Sequence, residues 1–322
     1  MVQYEGMFGK VFSKSLGIDM VRVDLGKQSI HIPVAQIDGN QPGKTLLVTG
    51  GMDGDEYAGI EAAYRLIDTF KDSNFLGKLI IIPIVNVLGF QSEVSFNPED
   101  NKYPKYVTKG KSNGTPTDRL IYWLHTTYAQ KADAWLDFHD GSLTEKICPI
   151  FWCFETGKKE INILSQQVLA HMKSDVHLYT VNNRYSRAEE LSNYDCLYCL
   201  TESGSCGSRK VIDIERHVTW AHDLMGVIGM IDNKPVQKEK ISVYRKTRIF
   251  NAKKHVIWTC NVSPGEKVNK GHILGMNRSY DNKKTEVIKS KEDGIVLWMK
   301  NGMTVQKDDV LVAIGYEKEY IA

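Results

Sequence analysis

The stretch LLVTGGMDGDEYAGIEAAYRLI, Leu46 to Ile67, decides the fold. Its first residues form a branched apolar run that breaks at Gly50-Gly51. From Glu56 onward, apolar residues recur at helical spacing. Glycines at 50, 51 and 54 let the backbone turn tightly between the two patterns. A buried strand, a glycine turn and a helix form the repeating unit of an α/β domain. The turn also carries Asp53, Asp55 and Glu56, which repel one another unless a cation lies among them. Alone, such a turn reads as a solvated helix N-terminus whose carboxylates complement the dipole.

Working outward, KLIIIPIV (78–85) and AWLDFHD (134–140) read as further strands, apolar enough for a sheet covered on both faces. Between them, EYAGIEAAYRLIDTF (56–70) and PTDRLIYWLHTTYAQK (116–131) read as helices, the second opened by Thr115, Pro116 and Asp118. INILSQQVLAHMKS (161–174) and RHVTWAHDLMGVIGMI (216–231) continue the helical pattern, with DCLYCLTESG (195–204) as a strand between them. The expected fold over residues 1–233 is α/β, a mostly parallel or mixed sheet with flanking helices.

The character changes near residue 233. DNKPVQKEK reads as a linker, and residues 234–322 hold short strands and turns with no helical pattern. Here PGEKVNKGHILG (264–275) recurs as NGMTVQKDDVLVAIG (301–315). Gly265, Val268, Lys270 and Leu274 each stand 37 positions before Gly302, Val305, Lys307 and Leu311. Two copies of a strand–turn–strand unit predict a small two-fold β-sandwich or barrel as a second domain.

Composition narrows the function classes. In 322 residues, 42% are hydrophobic and 25% charged, which are ordinary globular values, and the net charge is +2. That balance argues against nucleic acid or a membrane surface as partner. No run approaches the roughly 18 apolar residues of a membrane span. The stretch MVQYEGMFGKVFS lacks a basic-then-apolar secretory pattern, and six cysteines suggest no disulfide framework, so the cytoplasm is expected. Cys196 and Cys199 in CLYC are three apart on a strand, face opposite ways, and read as structural. A small substrate or peptide is left as partner, with self-association open.

Asp53 and Glu56 share one side of a helical turn, while Asp55 points elsewhere. His139, ending another buried strand, completes a candidate metal site, and Asp137 on the same strand face could orient its imidazole. Glu202 in TESG is a further acidic candidate at a strand end. Together, GGxDGDExxG, DxHDG and TESG resemble the motifs of the succinylglutamate desuccinylase/aspartoacylase family, related to the zinc carboxypeptidases. The resemblance spans residues from about 44 to 315. It implies a zinc carboxypeptidase-like fold with a C-terminal β domain, metal ligands at Asp53, Glu56 and His139, and Glu202 as general acid/base.

Two departures stand out. Asp53 occupies the position where the family's GGxHGxExxG motif has a histidine. The family's R..P.D..NLNR.FPG pattern falls on SFNPEDNKYPKYVTKG (95–110), with Ser95 replacing the first Arg and Lys105-Tyr106 replacing the Asn-Arg pair. The register is open by a residue or two, so Lys102, Lys105 and Lys109 all remain candidate cations. Two carboxylates and one His leave a divalent ion nearly neutral; zinc is expected, with manganese or iron as alternatives.

The expected function is metal-dependent hydrolysis of an amide bond in a small N-acyl amine, N-acyl amino acid or peptide. Glu202 would move the proton of a metal-activated water. Lys105, Tyr106, Arg119, Arg184, Arg187 and Arg209 are the candidate substrate contacts, as partners for an oxyanion or a carboxylate. The alternative is a catalytically silent member that binds a small ligand or protein partner in the same cleft. The retained Glu202 favours the enzyme.

Overall fold

Unbroken apolar runs form the centre of a 13-stranded mixed sheet in the computed structural model, which describes residues 17–181, 186–232, 235–238 and 240–321. Arg184, the stretch MVQYEGMFGKVFS and part of the expected linker (Asn233, Lys234, Glu239) lie outside the described residues. Strands Leu76–Ile82, Gln41–Thr49, Ala134–His139 and Leu197–Glu202 run parallel and side by side. Ile150–Glu155 joins antiparallel, followed by Val176–Val181. On the other flank, Ile18–Asp24 and Ser29–Asp38 form an antiparallel hairpin.

Alternating side chains fill two cores, one on each face. Leu46, Val48, Leu136 and Phe138 pack under helices Tyr57–Phe70, Lys159–His171 and Val211–Val227. Leu47, Trp135 and Tyr198 pack on the other face with Leu120, Ile121 and Leu124 of helix Pro116–Thr127. Each fully buried Leu or Ile adds about 1.5–3 kcal/mol relative to exposure. The expected CLYC geometry follows: Cys196 and Cys199 lie in different cores, and Cys199 Sγ is 3.2 Å from Cys153 Sγ as a free thiol pair.

The helix expected at 216–231 spans Val211–Val227 instead. Its first turn carries Val211 and Ile212, which are exposed and therefore break the inward periodicity. Strands Ile150–Glu155 and Val176–Val181 and the hairpin at 18–38 are additions to the expected set.

Beyond residue 240 the large sheet continues through Ile241–Asn251, whose Tyr244 pairs with Leu178, then Val310–Ile321, Gly294–Lys300 and Lys267–Val268. Against it packs a 4-stranded antiparallel sheet of Thr285–Lys289, Ile273–Arg278, Val256–Cys260 and Thr304–Val305. The internal repeat straddles both sheets. Lys267–Val268 ends the large sheet and its counterpart Thr304–Val305 ends the small one. Val268, Leu274, Val305 and Leu311 all converge in a single core. Among the described residues no helix is long and apolar enough to cross a membrane.

Candidate metal centre

The centre forms at the C-terminal edge of three parallel strands. After Thr49 the chain passes through Gly51 at φ +58° and Gly54, where a Cβ would lie 2.1 Å from the Phe90 nitrogen. That close approach folds Asp53 and Glu56 back over the sheet edge. On the next strands, His139 and Glu202 are register partners, so both side chains end at the same level. Asp53, Glu56 and His139 are all buried, and one donor atom from each lies within 4.8 Å of the others. Asp55 turns away and accepts from Ser95 Oγ at 2.7 Å.

Each group is held from behind. His139 Nδ1 lies 2.8 Å from Glu56 Oε2, and its Nε2 lies 3.2 Å from Asp137 Oδ2. With Nε2 turned to Asp137, Nδ1 is the nitrogen that faces the cluster. Asp137 also accepts from Thr49 Oγ1 at 2.6 Å and the Tyr198 hydroxyl at 2.8 Å. Asp140, next to His139, accepts from the Ala58 and Gly59 amides at 2.6 and 3.2 Å, binding the helix N-terminus to the strand end. The Lys105 ammonium meets Asp53 Oδ2, while Asp53 Oδ1 is buried without a hydrogen-bond partner.

Burial pushes the Asp53 carboxyl up to about 7, with Lys105 opposing and Glu56 adding to the rise. Burial disfavours a charged His139, yet Glu56 and Asp137 outweigh it and hold the ring well above its usual range. Asp137 is also buried, but His139 and Arg187 hold it below the usual carboxylate range. Desolvation lifts Glu202 and Asp140 well above theirs, and Glu56 adds to both. A divalent cation fits the donor set: oxygen from Asp53 and Glu56, nitrogen from His139, with Asp53 Oδ1 otherwise unpaired.

The succinylglutamate desuccinylase/aspartoacylase catalytic-domain family matches residues 42–225. This chain belongs to that family. It is 29% identical over 121 residues to the N-alpha-acetyl-L-2,4-diaminobutyric acid deacetylase of Halomonas elongata, a match covering 38% of this chain and only 35% of that protein. Among solved structures, the product-bound ectoine utilization protein of Ruegeria pomeroyi superposes with a TM-score of 0.82 at 18% identity, over 94% of this chain and 100% of the other. A family protein from Rhodobacter sphaeroides gives 0.79 at 19% identity, over 93% and 95%. These likenesses establish the desuccinylase/aspartoacylase fold over nearly the whole chain.

The open side of this family member's centre is a cleft of about 530 Å³. Glu56, Lys105, Asp140, Glu145 and Glu202 line its floor, and Tyr106, 57% exposed, also lines it. Its rim comes from the C-terminal segment, with Arg245, Arg248 and Trp298, and Trp152 also lines the cleft. Of the three lysines left open by the sequence register, Lys105 reaches the centre; Lys102 pairs with Asp118 and Lys109 with Glu190.

The remaining arginines with described positions lie off the cleft. Arg119 Nε donates to the Gly114 carbonyl at 3.0 Å, and exposed Arg209 pairs with Glu61 at 3.1 Å. Arg187 is 1% exposed, between the Trp135 and Tyr198 rings at 5.0 and 5.7 Å. It contacts Asp137 at 3.4 Å and donates to the Pro104 and Val107 carbonyls at 2.9 Å each. Sequence reasoning passed over Asp140, Glu145, Arg245 and Arg248. The run HDG placed Asp140 beside a candidate ligand and was the available signal; the other three come from strands whose place in the sheet is set by tertiary pairing.

Proposed function

We propose that this protein hydrolyses the amide bond of a small N-acyl amino acid or related N-acyl amine, with a divalent metal held by Asp53, Glu56 and His139. The observation that carries this reading is three buried donors within 4.8 Å of one another, with Glu202 at the same level on the adjacent strand. When bound, the ion would acidify a water and polarise the scissile carbonyl. Zinc suits the mixed oxygen and nitrogen donors, and manganese or iron would also be accepted.

The protein's own groups supply the proton handling. Glu202 Oε2 is buried without a hydrogen-bond partner and its carboxylate lines the cleft. Its elevated affinity for protons suits a group that takes a proton and delivers it to a leaving amine. Asp137 holds the His139 ring in place, and Arg187 in turn holds Asp137. The fold family and the Halomonas deacetylase support an N-acyl amino acid as substrate class. At the rim, Arg245 and Arg248 suit a carboxylate on the outward end of such a substrate.

A screen of N-acyl amino acids, beginning with N-acetyl-diaminobutyrate, tests the reading with Glu202→Gln alongside. Release of free amine by the unsubstituted protein, lost in the variant, is the expected outcome. Tight binding of such compounds without turnover would favour the ligand-binding alternative.

A further inference from the structure

Beside the candidate metal centre lies a fixed cation. Asp53 is fully buried, and the Lys105 side chain that meets its Oδ2 is only 22% exposed. The ammonium is delivered by the segment Pro104–Tyr106, a single 3-10 turn. That turn is pinned by Arg187, which donates to the carbonyls of its first residue, Pro104, and of Val107 just after it. The rings of Tyr103 and Tyr106 flank the ammonium at 5.8 and 5.6 Å. The two oxygens of Asp53 therefore have separate roles. Oδ2 faces Lys105, while Oδ1 is buried and unpaired on the same carboxylate that approaches Glu56 and His139.

From this division we infer that Asp53 and Lys105 act as one electrically neutral ligand, the ammonium cancelling the charge of Asp53 while Oδ1 is offered to the ion. The inference rests on the metal reading above and names how the centre's charge is set. A divalent ion here is offset by Glu56, because Lys105 offsets Asp53. Without Lys105, the ion would face Asp53 and Glu56 uncompensated, with Glu202 and Asp140 lining the same cleft. It would be held more tightly and would polarise a carbonyl less. Lys105 thus exchanges metal affinity for Lewis acidity. It is a positioning and charge-setting residue, since it acts through Asp53.

The test is the zinc affinity of the full chain, by competition against a fluorescent chelator at fixed pH, for five proteins. The unsubstituted protein is compared with Lys105→Arg, Lys105→Gln, Asp53→His and the double variant Asp53→His/Lys105→Gln. Lys105→Gln is expected to bind zinc at least about tenfold more tightly, because a nearby positive charge is removed. Asp53→His is expected to bind at least about tenfold more weakly, because an uncompensated cation remains. The double variant and Lys105→Arg keep the net charge and are expected within about threefold of the unsubstituted protein.

If Lys105 merely steadies Asp53, Lys105→Gln binds more weakly than the unsubstituted protein and the double variant binds like Asp53→His, which overturns the inference. No zinc bound by the unsubstituted protein overturns the metal reading beneath it instead. Zinc bound only once Lys105 is removed does the same, with the ammonium standing in place of the ion.

Discussion

The floor of the cleft and its rim both carry charged side chains but surround them differently. At and behind the floor, Asp53, Glu56, Asp137 and His139 are 0–4% exposed and contact one another closely, as His139 does Glu56 at 2.8 Å and Asp137 at 3.2 Å. At the rim, Arg248 pairs with Glu292 at 2.7 Å and Lys246 with Glu317 at 2.6 Å, with side chains 28–56% exposed. Buried charges lose hydration and depend on their partners; exposed pairs are screened and interchangeable. Chemistry is therefore expected from the floor, and recognition from the rim.

The largest expected effect sharpens that contrast at Glu202. Glu202→Gln keeps shape but cannot move a proton, so turnover should fall by about 10²–10⁴-fold with the bound metal unchanged, measured as kcat beside elemental content. Next is Arg187→Met, which removes one of the two cationic partners of buried Asp137 and leaves it with His139 alone. Stability should drop by about 3–5 kcal/mol, read from urea unfolding. An equal loss on substituting Arg248 would break the comparison. Asp137→Asn, which keeps the fold but weakens the hold on His139, should reduce metal affinity about 10–100-fold.

What was legible in the sequence follows the same division. Asp53, Glu56, His139 and Glu202 stand in short motifs at the ends of apolar runs, and the joint motif pattern, more than any one run, marks them as a group. The hairpin at 18–38 was not legible, because its outer strand Ile18–Asp24 is half solvated and its apolar pattern is weak. Arg187 reads as a loop cation, since sequence carries charge but not burial. The rim depends on Ile241–Asn251 pairing beside Val176–Val181, a long-range contact that no local pattern encodes. Lys105 reads as a candidate contact with the register still open to Lys102 and Lys109, and the 3-10 turn fixes it as the lysine that points inward.

A smaller effect separates floor from rim by pH. The Asp53 carboxyl binds a proton up to about pH 7 in the native metal-free protein, against 3.8 as the ordinary value. The native state thus binds more protons than the unfolded chain across that window, and this group's contribution to stability is lost as pH rises through it. His139, lifted above 6.5, contributes stability that is complete below that value and is lost as pH rises through its higher native value. The melting temperature of chelator-treated protein should therefore fall from pH 5 to pH 8, and Asp53→Asn should flatten part of the slope. Smallest of all, Arg248→Ala at the rim should change stability by under about 1 kcal/mol and leave kcat unaltered, with KM the only kinetic constant to move.

The most direct test of the centre is elemental mass spectrometry on protein purified without chelators, beside Asp53→Ala and His139→Ala. About one zinc, manganese or iron ion per chain, lost in both variants while each remains folded by circular dichroism, is the predicted result. No ion in the unsubstituted protein, even after incubation with each metal, would contradict it.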